Sequence, residues 1–258
     1  MLRNRVLIIV GAIVVLVGVA WLVYDRTHKP GGTQDPVDLA DGRTQADFAQ
    51  ASADVFQLMD GHIELAGDEV KGRNNWIMWT AGDEQFWDKM SQTSYGIVDL
   101  LKTIDSRNHD TRFHDMGVVN EPGMMKADKA DEFGLYVDQV DPSYQSPQNV
   151  PKSTDPAAVD PKVYGRPTGI VGLRLYPNPN FDAAAKAKWD PNRFYNDQKY
   201  FLDPTLVRPY RVGMTCGFCH VAPYPLNPPA DPERPKWENL ASIIGNQYLR
   251  EGAVFGYD

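Results

Sequence analysis

Apolar residues form one long run near the N terminus, and after it they recur only in short patterns. Residues 6–24 make about 19 consecutive positions without a charge, and a helix of that length spans the roughly 30 Å hydrocarbon core of a bilayer. The run therefore predicts a transmembrane helix. Arg3 and Arg5 precede it, which favours an N-inside orientation and an exported remainder. A cleaved signal peptide is the alternative, with a small-x-small site at residues 18–20.

Beyond the run, apolar positions at helical spacing predict short helices at residues 44–59, 83–90, 95–104, 183–189 and 239–250. Thr44 and Asp47 resemble a capping box for the first of these helices. Residues 169–176 are the best strand pattern, which ends at Pro177. Residues 141–167 contain recurrent prolines, which predict an exposed loop or insertion.

The charge composition of the chain excludes some classes of binding partner. Acidic residues outnumber basic ones by 34 to 26, and the formal net charge is −8. This balance argues against nucleic acid and against a basic patch for anionic lipid headgroups, while a basic redox protein is compatible with it. The motifs of phosphate-binding loops, dinucleotide-binding folds, zinc proteases and serine hydrolases do not occur in the sequence.

Two cysteines and a histidine form the motif with the most specific chemistry. Cys216, Cys219 and His220 have the C-x-x-C-H spacing at which a polypeptide holds haem covalently. Thiols three residues apart on one turn can each reach a vinyl group of the same porphyrin, and the adjacent histidine becomes the proximal iron ligand. The motif therefore predicts one covalent haem c.

These two cysteines are the only ones in the chain, which limits the alternatives. A proline cluster after the motif argues against the long helix of a thioredoxin-like redox site. A zinc site would need further ligands, and consecutive cysteine and histidine ligands strain a tetrahedral arrangement. A simple disulfide between Cys216 and Cys219, or another metal site, stays open.

The segments around the motif extend the pattern. RPYRVGMTC at 208–216, NPPAD at 227–231 and PKWENL at 235–240 resemble membrane-anchored bacterial c-type cytochromes with a single C-x-x-C-H haem domain. The resemblance reaches back to about Gly72. It implies electron transfer by haem c, with redox proteins or subunits of a larger membrane complex as partners. It also implies a longer parent chain, because members of this family tend to continue further.

The resemblance and the patterns together predict a mainly α, loop-rich fold, in which one N-terminal transmembrane helix precedes a cytochrome c-like haem domain with an extra N-terminal module. The predicted divisions are an anchor at 1–26, a flexible linker at 27–43, an extracytoplasmic module of unknown topology at 44–204 and a haem-binding segment at 205–258. The implied location is the bacterial cytoplasmic membrane, with a single pass, the N terminus inside and the C-terminal domain on the periplasmic side.

The sixth iron ligand is left open by the sequence, because no methionine, histidine or cysteine follows His220. The upstream candidates are His114, Met116, His109 and His62. The first two come ahead, because Phe113 could lay an apolar side chain on the haem. The candidates for pairing with the haem propionates are Arg174, Arg208 and Arg211.

The occupant of the sixth position separates three functions. If two strong axial ligands fill the iron, no substrate can bind there, and the haem can only transfer electrons by an outer-sphere route. This is the function we expect. An open position would admit peroxide or another small ligand, which would make the chain a peroxidase-like enzyme or a sensor. In the third function, the haem mainly organises an accessory subunit of a larger redox complex. We expect an electron carrier or redox-complex subunit rather than a stand-alone enzyme.

Overall fold

The computed structural model describes residues 51–94, 97–144 and 160–256, in which short helices alternate with irregular connections. Helix accounts for 37% and strand for 12% of the structure, and the strands form several small sheets. The prediction of a mainly α fold with an N-terminal transmembrane helix is therefore wrong. The described residues belong to one compact unit.

No helix in the described ranges is long and apolar enough to cross a membrane. The longest of them, Gly67–Met78, has 12 residues, whereas a spanning helix needs about 20. This finding corrects the single-pass localisation as well as the fold class. The apolar run at 6–24 lies outside the described residues, as do the anchor and the linker predicted at 1–26 and 27–43.

The helices are short and are numbered here in chain order. They are α1 (Gly67–Met78), α2 (Glu84–Thr93), α3 (Leu100–Thr103), α4 (Arg112–Met116), α5 (Pro161–Tyr164), α6 (Ala183–Lys188), α7 (Pro191–Asn196), α8 (Gln198–Phe201), α9 (Cys216–His220) and α10 (Glu251–Phe255). Two 3₁₀ helices cover Ser106–Thr111 and Trp237–Asn239.

Aspartate side chains begin many of these helices. Asp99, Asp160, Asp182, Asp190 and Asp197 each accept a hydrogen bond from a backbone N–H in the first turn of the helix that follows. Such a cap satisfies a donor that the helix itself leaves without a partner, and it stabilises the helix by about 1 kcal/mol. These five helices therefore each begin directly after an aspartate cap.

Within the described ranges, the strands form one three-stranded antiparallel sheet and two two-stranded ones. They are β1 (Met124–Met125), β2 (Gln139–Val140), β3 (Arg166–Pro167), β4 (Leu173–Pro177), β5 (Tyr210–Met214), β6 (Ala222–Pro223) and β7 (Leu240–Ala241). The larger sheet has the order β3-β4-β5, with Leu173 opposite Met214. The smaller sheets pair β1 with β2 and β6 with β7.

The larger sheet joins strands from both sides of the predicted boundary at 204/205. β4 belongs to the predicted module and β5 to the predicted haem segment, yet the two strands pair along their whole length. Of the strand predicted at 169–176, the C-terminal part is confirmed, because β4 covers Leu173–Pro177. The prediction of a helix at 239–250 is wrong. That segment contains strand β7, which bends and turns follow.

Two hydrophobic clusters form the core. The first includes Leu173, Val212 and Phe218, and the second includes Ile77 and Val221. Phe218 lies within α9, and Val221 directly follows that helix. The motif helix α9 is therefore fixed to both parts of the core.

Candidate haem-attachment site

The three chemically distinctive side chains of the motif lie on the exposed side of α9. Cys216 and Cys219 are free and exposed, and His220 is exposed as well. Gly217 and Phe218, between the two cysteines, are buried. Residues three and four apart share one face of a helix, so α9 anchors itself through the intervening residues and presents both thiols and the imidazole outward.

The buried side of α9 packs closely against the C-terminal end of α1. A Cβ atom added to Gly217 would lie 3.0 Å from the Cα of Ile77. The side chain of Thr215 caps α9 by accepting from the Gly217 N–H at 3.1 Å. The same hydroxyl donates to the Ile77 carbonyl at 2.8 Å. Position 217 is therefore a glycine because the backbone of α1 leaves little room for a side chain there.

A loop packs on the other part of the helix. Gly172 has a φ of 82°, and an added Cβ would lie 2.2 Å from the Phe218 nitrogen. The Thr215 N–H donates to the Gly172 carbonyl at 2.8 Å. A side chain at position 172 would be both strained and obstructed. The position of the motif helix therefore depends on β4, because Gly172 directly precedes that strand.

An apolar side chain, that of Trp76, contacts the exposed face of the motif. The ring of Trp76 on α1 lies 5.2 Å from that of His220, between centroids, and Trp76 is 41% exposed. On another side, the Asn246 N–H donates to the Cys219 carbonyl at 2.8 Å. Ile243 and Ile244, just before Asn246, are 73% and 37% exposed. Trp76 would therefore provide an apolar contact for a group bound at the motif.

The protonation state of the thiols bears on the alternatives to haem. Partial burial raises the pKa of the Cys219 thiol above its ordinary value, and the Glu251 carboxylate and Cys216 add to this shift. Thioredoxin-like reactivity depends on a thiol pKa that is lowered. The setting of Cys219 therefore does not favour a thiolate nucleophile.

The residues of the motif fit a covalent haem. Both thiols and the imidazole are accessible from one side of a single helical turn, and the Trp76 side chain would provide an apolar contact for a porphyrin. Across the described ranges, no group of three or more histidine, cysteine, aspartate or glutamate side chains is arranged to hold a metal ion. The zinc alternative therefore lacks its additional ligands in this part of the chain.

The four predicted distal ligands lie in four different settings. The His114 side chain is 83% exposed and pairs with Asp115. His109 is buried, and its Nδ1 lies 2.6 Å from Asp138 Oδ2. His62 is exposed and has a φ of 64°. Met116 is partly buried against the first hydrophobic cluster.

Of these four residues, Met116 is linked to the motif by a short chain of hydrogen bonds. The Asn246 side chain donates to the carbonyl of Gly117, which directly follows Met116, while its backbone N–H donates to Cys219. The Arg250 N–H donates to the Met116 carbonyl at 2.8 Å. The segment 246–250 therefore joins the end of α4 to the motif helix.

The three predicted propionate partners are engaged inside the fold instead. Arg174 lies 3.4 Å from Glu121, Arg208 3.0 Å from Asp99 and Arg211 3.3 Å from Asp88. Arg174 and Arg208 are almost fully buried. A propionate role would require these arginines to leave internal ion pairs, and breaking a buried pair costs about 3–5 kcal/mol. These internal ion pairs argue against a propionate role for the three arginines.

Sequence reasoning missed several residues of the site. The helical spacing of Trp76 predicts a core residue. For Thr215 and Asn246, no sequence pattern indicates a role in the site. Their roles come from contacts with Ile77, His220 and Cys219 that are distant in sequence. Comparison of the chain with protein-family models, with curated proteins and with solved structures finds no match. The functional argument therefore depends on the motif and its surroundings.

Proposed function

We propose that this chain is a c-type cytochrome, which carries one covalent haem c at Cys216, Cys219 and His220 and exchanges electrons with redox partner proteins. The observation that supports the proposal best is the arrangement of α9. Its two thiols and its imidazole are exposed on one side, while the residues between the cysteines anchor the helix in the core.

Each residue of the motif has a definite part in this proposal. Cys216 and Cys219 would hold the porphyrin through thioethers, and His220 would bind the iron from the proximal side. A haem bound in this way supplies one-electron redox chemistry. The Trp76 ring lies 5.2 Å from the His220 ring, between centroids, and would contact the imidazole that binds the iron.

We also assign the distal position to Met116. Its carbonyl and that of Gly117 accept hydrogen bonds from the segment that contacts Cys219. A methionine at this position raises the reduction potential of a c-type haem relative to a second histidine. Two strong axial ligands fit an electron carrier better than an enzyme that binds its substrate at the iron.

Expression together with a haem c maturation system tests the proposal. We expect the denatured protein to keep one haem, measured by mass spectrometry and by the pyridine haemochrome spectrum. Cys216→Ala with Cys219→Ala should abolish retention. His114→Ala is a matched control for His220→Ala, because both histidines are exposed, and only the motif variant should alter the iron spectrum. A chain without covalent haem would overturn the proposal.

The reduced spectrum with and without carbon monoxide then tests the activity. Sharp α and β bands that carbon monoxide does not change would support a six-coordinate electron carrier. A high-spin spectrum that shifts with carbon monoxide would overturn electron transfer as the main function and favour ligand binding at the iron.

A further inference from the structure

A buried histidine, aspartate and arginine form a network separate from the motif. His109 Nδ1 lies 2.6 Å from Asp138 Oδ2, and Arg112 Nη1 donates to the same oxygen at 2.8 Å. The side chains of Arg112 and Asp138 are fully buried, and that of His109 is 9% exposed. A guanidinium only donates hydrogen bonds, so Asp138 Oδ2 accepts from Arg112.

This network fixes the orientation of the His109 ring. Asp138 Oδ2 already accepts from Arg112, so we assign His109 Nδ1 as the donor in its 2.6 Å contact with the same oxygen. In the neutral imidazole, Nε2 is then an acceptor with a free lone pair. Within the described ranges Nε2 has no hydrogen-bond partner, and His109 lines a cleft of about 700 Å³. A cleft of this volume accommodates a small organic molecule.

The side chain of Asn120 joins His109 to a carboxylate in the same cleft. Its amide nitrogen donates to the His109 carbonyl at 2.8 Å and to the Glu233 carbonyl at 2.9 Å. It also lies 3.4 Å from Glu233 Oε2. Glu233 Oε1 and Oε2 accept the backbone N–H groups of His114 and Phe113, which fixes the carboxylate at the start of α4. Asn120 therefore holds the His109 backbone and Glu233 in place, and both residues line the same cleft.

The charges around the cleft decide which ligands suit it. Its carboxylates are Asp110, Glu121, Asp141, Glu233 and Glu238, and three basic side chains line it as well. Each basic side chain is within ion-pair distance of an aspartate or glutamate, as Lys126 is of Asp110 at 3.0 Å. Glu121 also pairs with Arg174, which lies outside the lining. The other four carboxylates face three basic side chains, so the net charge of the lining is negative, and the oriented group at the wall is an acceptor. A ligand that donates hydrogen bonds and carries positive charge complements both features.

We propose that this cleft binds a small organic ammonium ion, with one N–H donated to His109 Nε2 and the positive charge facing Glu233. A bare metal ion does not suit the site, because the described residues contain no suitable group of three ligands. An organic cation needs fewer ligands, and its carbon chain would contact the apolar side chains that also line the cleft, such as Met124 and Pro122. The proposal does not depend on haem attachment.

Calorimetric titration of the full chain with n-butylamine tests the proposal. The control ligand is n-butanol, which has a similar size but no charge. We expect n-butylamine to bind, and we expect n-butanol to bind at least about tenfold more weakly, since hydrogen bonds to charged groups contribute that much. Long-range ¹H–¹⁵N spectra should show the Nε2 signal of His109 shifting on titration with the amine.

Glu233→Gln should weaken n-butylamine binding by about tenfold, and His109→Gln should weaken it as well. Glu64→Gln is the matched control, because Glu64 is exposed and does not line the cleft. Thermal melting of each variant separates loss of binding from loss of folding. Equal binding of amine and alcohol, no binding of either, or unchanged affinity in a folded Glu233→Gln variant would overturn the proposal.

Discussion

The hydroxyl of Thr215 donates a 2.8 Å hydrogen bond to the backbone carbonyl of Ile77, at the C-terminal end of α1. Thr215 also caps α9 by accepting from the Gly217 N–H. One buried hydroxyl thus fixes the start of the motif helix and joins it to a helix more than a hundred residues earlier in the chain. The exposure of the two thiols depends on this contact, since it determines which side of α9 is buried.

Replacing this hydroxyl should therefore destabilise the fold. We expect Thr215→Val to lower the free energy of unfolding by about 1–2 kcal/mol, because it removes the cap and leaves the Ile77 carbonyl without its donor. Urea denaturation would measure the change. Thr205→Val is the control, because Thr205 is exposed, and a surface change of this kind costs less than about 0.5 kcal/mol. Equal losses in both variants would contradict the assigned role.

The buried pair of Arg112 and Asp138 should matter more for stability. Asp138→Asn removes the charge that faces Arg112 at 2.8 Å and His109 at 2.6 Å. Because the guanidinium would then be buried without a counter-charge, we expect a loss of about 3–5 kcal/mol in chemical denaturation. Asp115→Asn, which changes an exposed pair with His114, should show no comparable loss. A small effect at Asp138 would mean that the interior reorganises around the arginine.

The distal position makes a prediction for the haem-loaded protein. If Met116 binds the iron, Met116→Leu should make the reduced protein bind carbon monoxide, because leucine fills similar space without a ligand atom. The reduced optical spectrum before and after carbon monoxide measures this. His114→Ala should leave the spectrum unchanged, since His114 is exposed and paired with Asp115. A response to His114→Ala instead would reverse the assignment.

Asp83 predicts a pH dependence of stability. Burial raises its pKa from 3.8 to about 6, although the Met214 and Trp87 N–H groups bound to it act in the opposite direction. Between about pH 4 and pH 6 the folded protein therefore holds this proton more tightly than the unfolded chain. The contribution of Asp83 to the free energy of unfolding is greatest below this window and is lost as pH rises through it.

Melting temperatures of the wild type and of Asp83→Asn across this window test the assignment. The wild type should lose stability relative to the variant as pH rises from about 4 to about 6, because the amide does not titrate. The Asp88 pKa is also raised by burial, but that slope is common to both proteins and cancels in the difference. Parallel melting curves would exclude Asp83 as the source.

Local signals account for the parts of the fold that the sequence predicts well. Asp182 caps α6 through the Ala185 N–H, close to the start of the helix predicted at 183–189. The predicted helix at 83–90 corresponds to α2. By contrast, the apolar spacing at 239–250 favours a helix that does not form. Asn246 contacts both Cys219 and Gly117 there, while Ile243 and Ile244 remain exposed.

The sequence by itself determines the spacing of Cys216, Cys219 and His220, because residues three and four apart share a face wherever a helical turn forms. It does not determine the partners of the distant charged residues. Arg208 reads as a propionate partner, yet in the fold it pairs with Asp99, 109 positions away. His109 reads as an iron ligand, yet it is held by Asp138 at the wall of a separate cleft. Tertiary structure decides such pairings, because burying a charge is costly unless an opposite charge is buried with it.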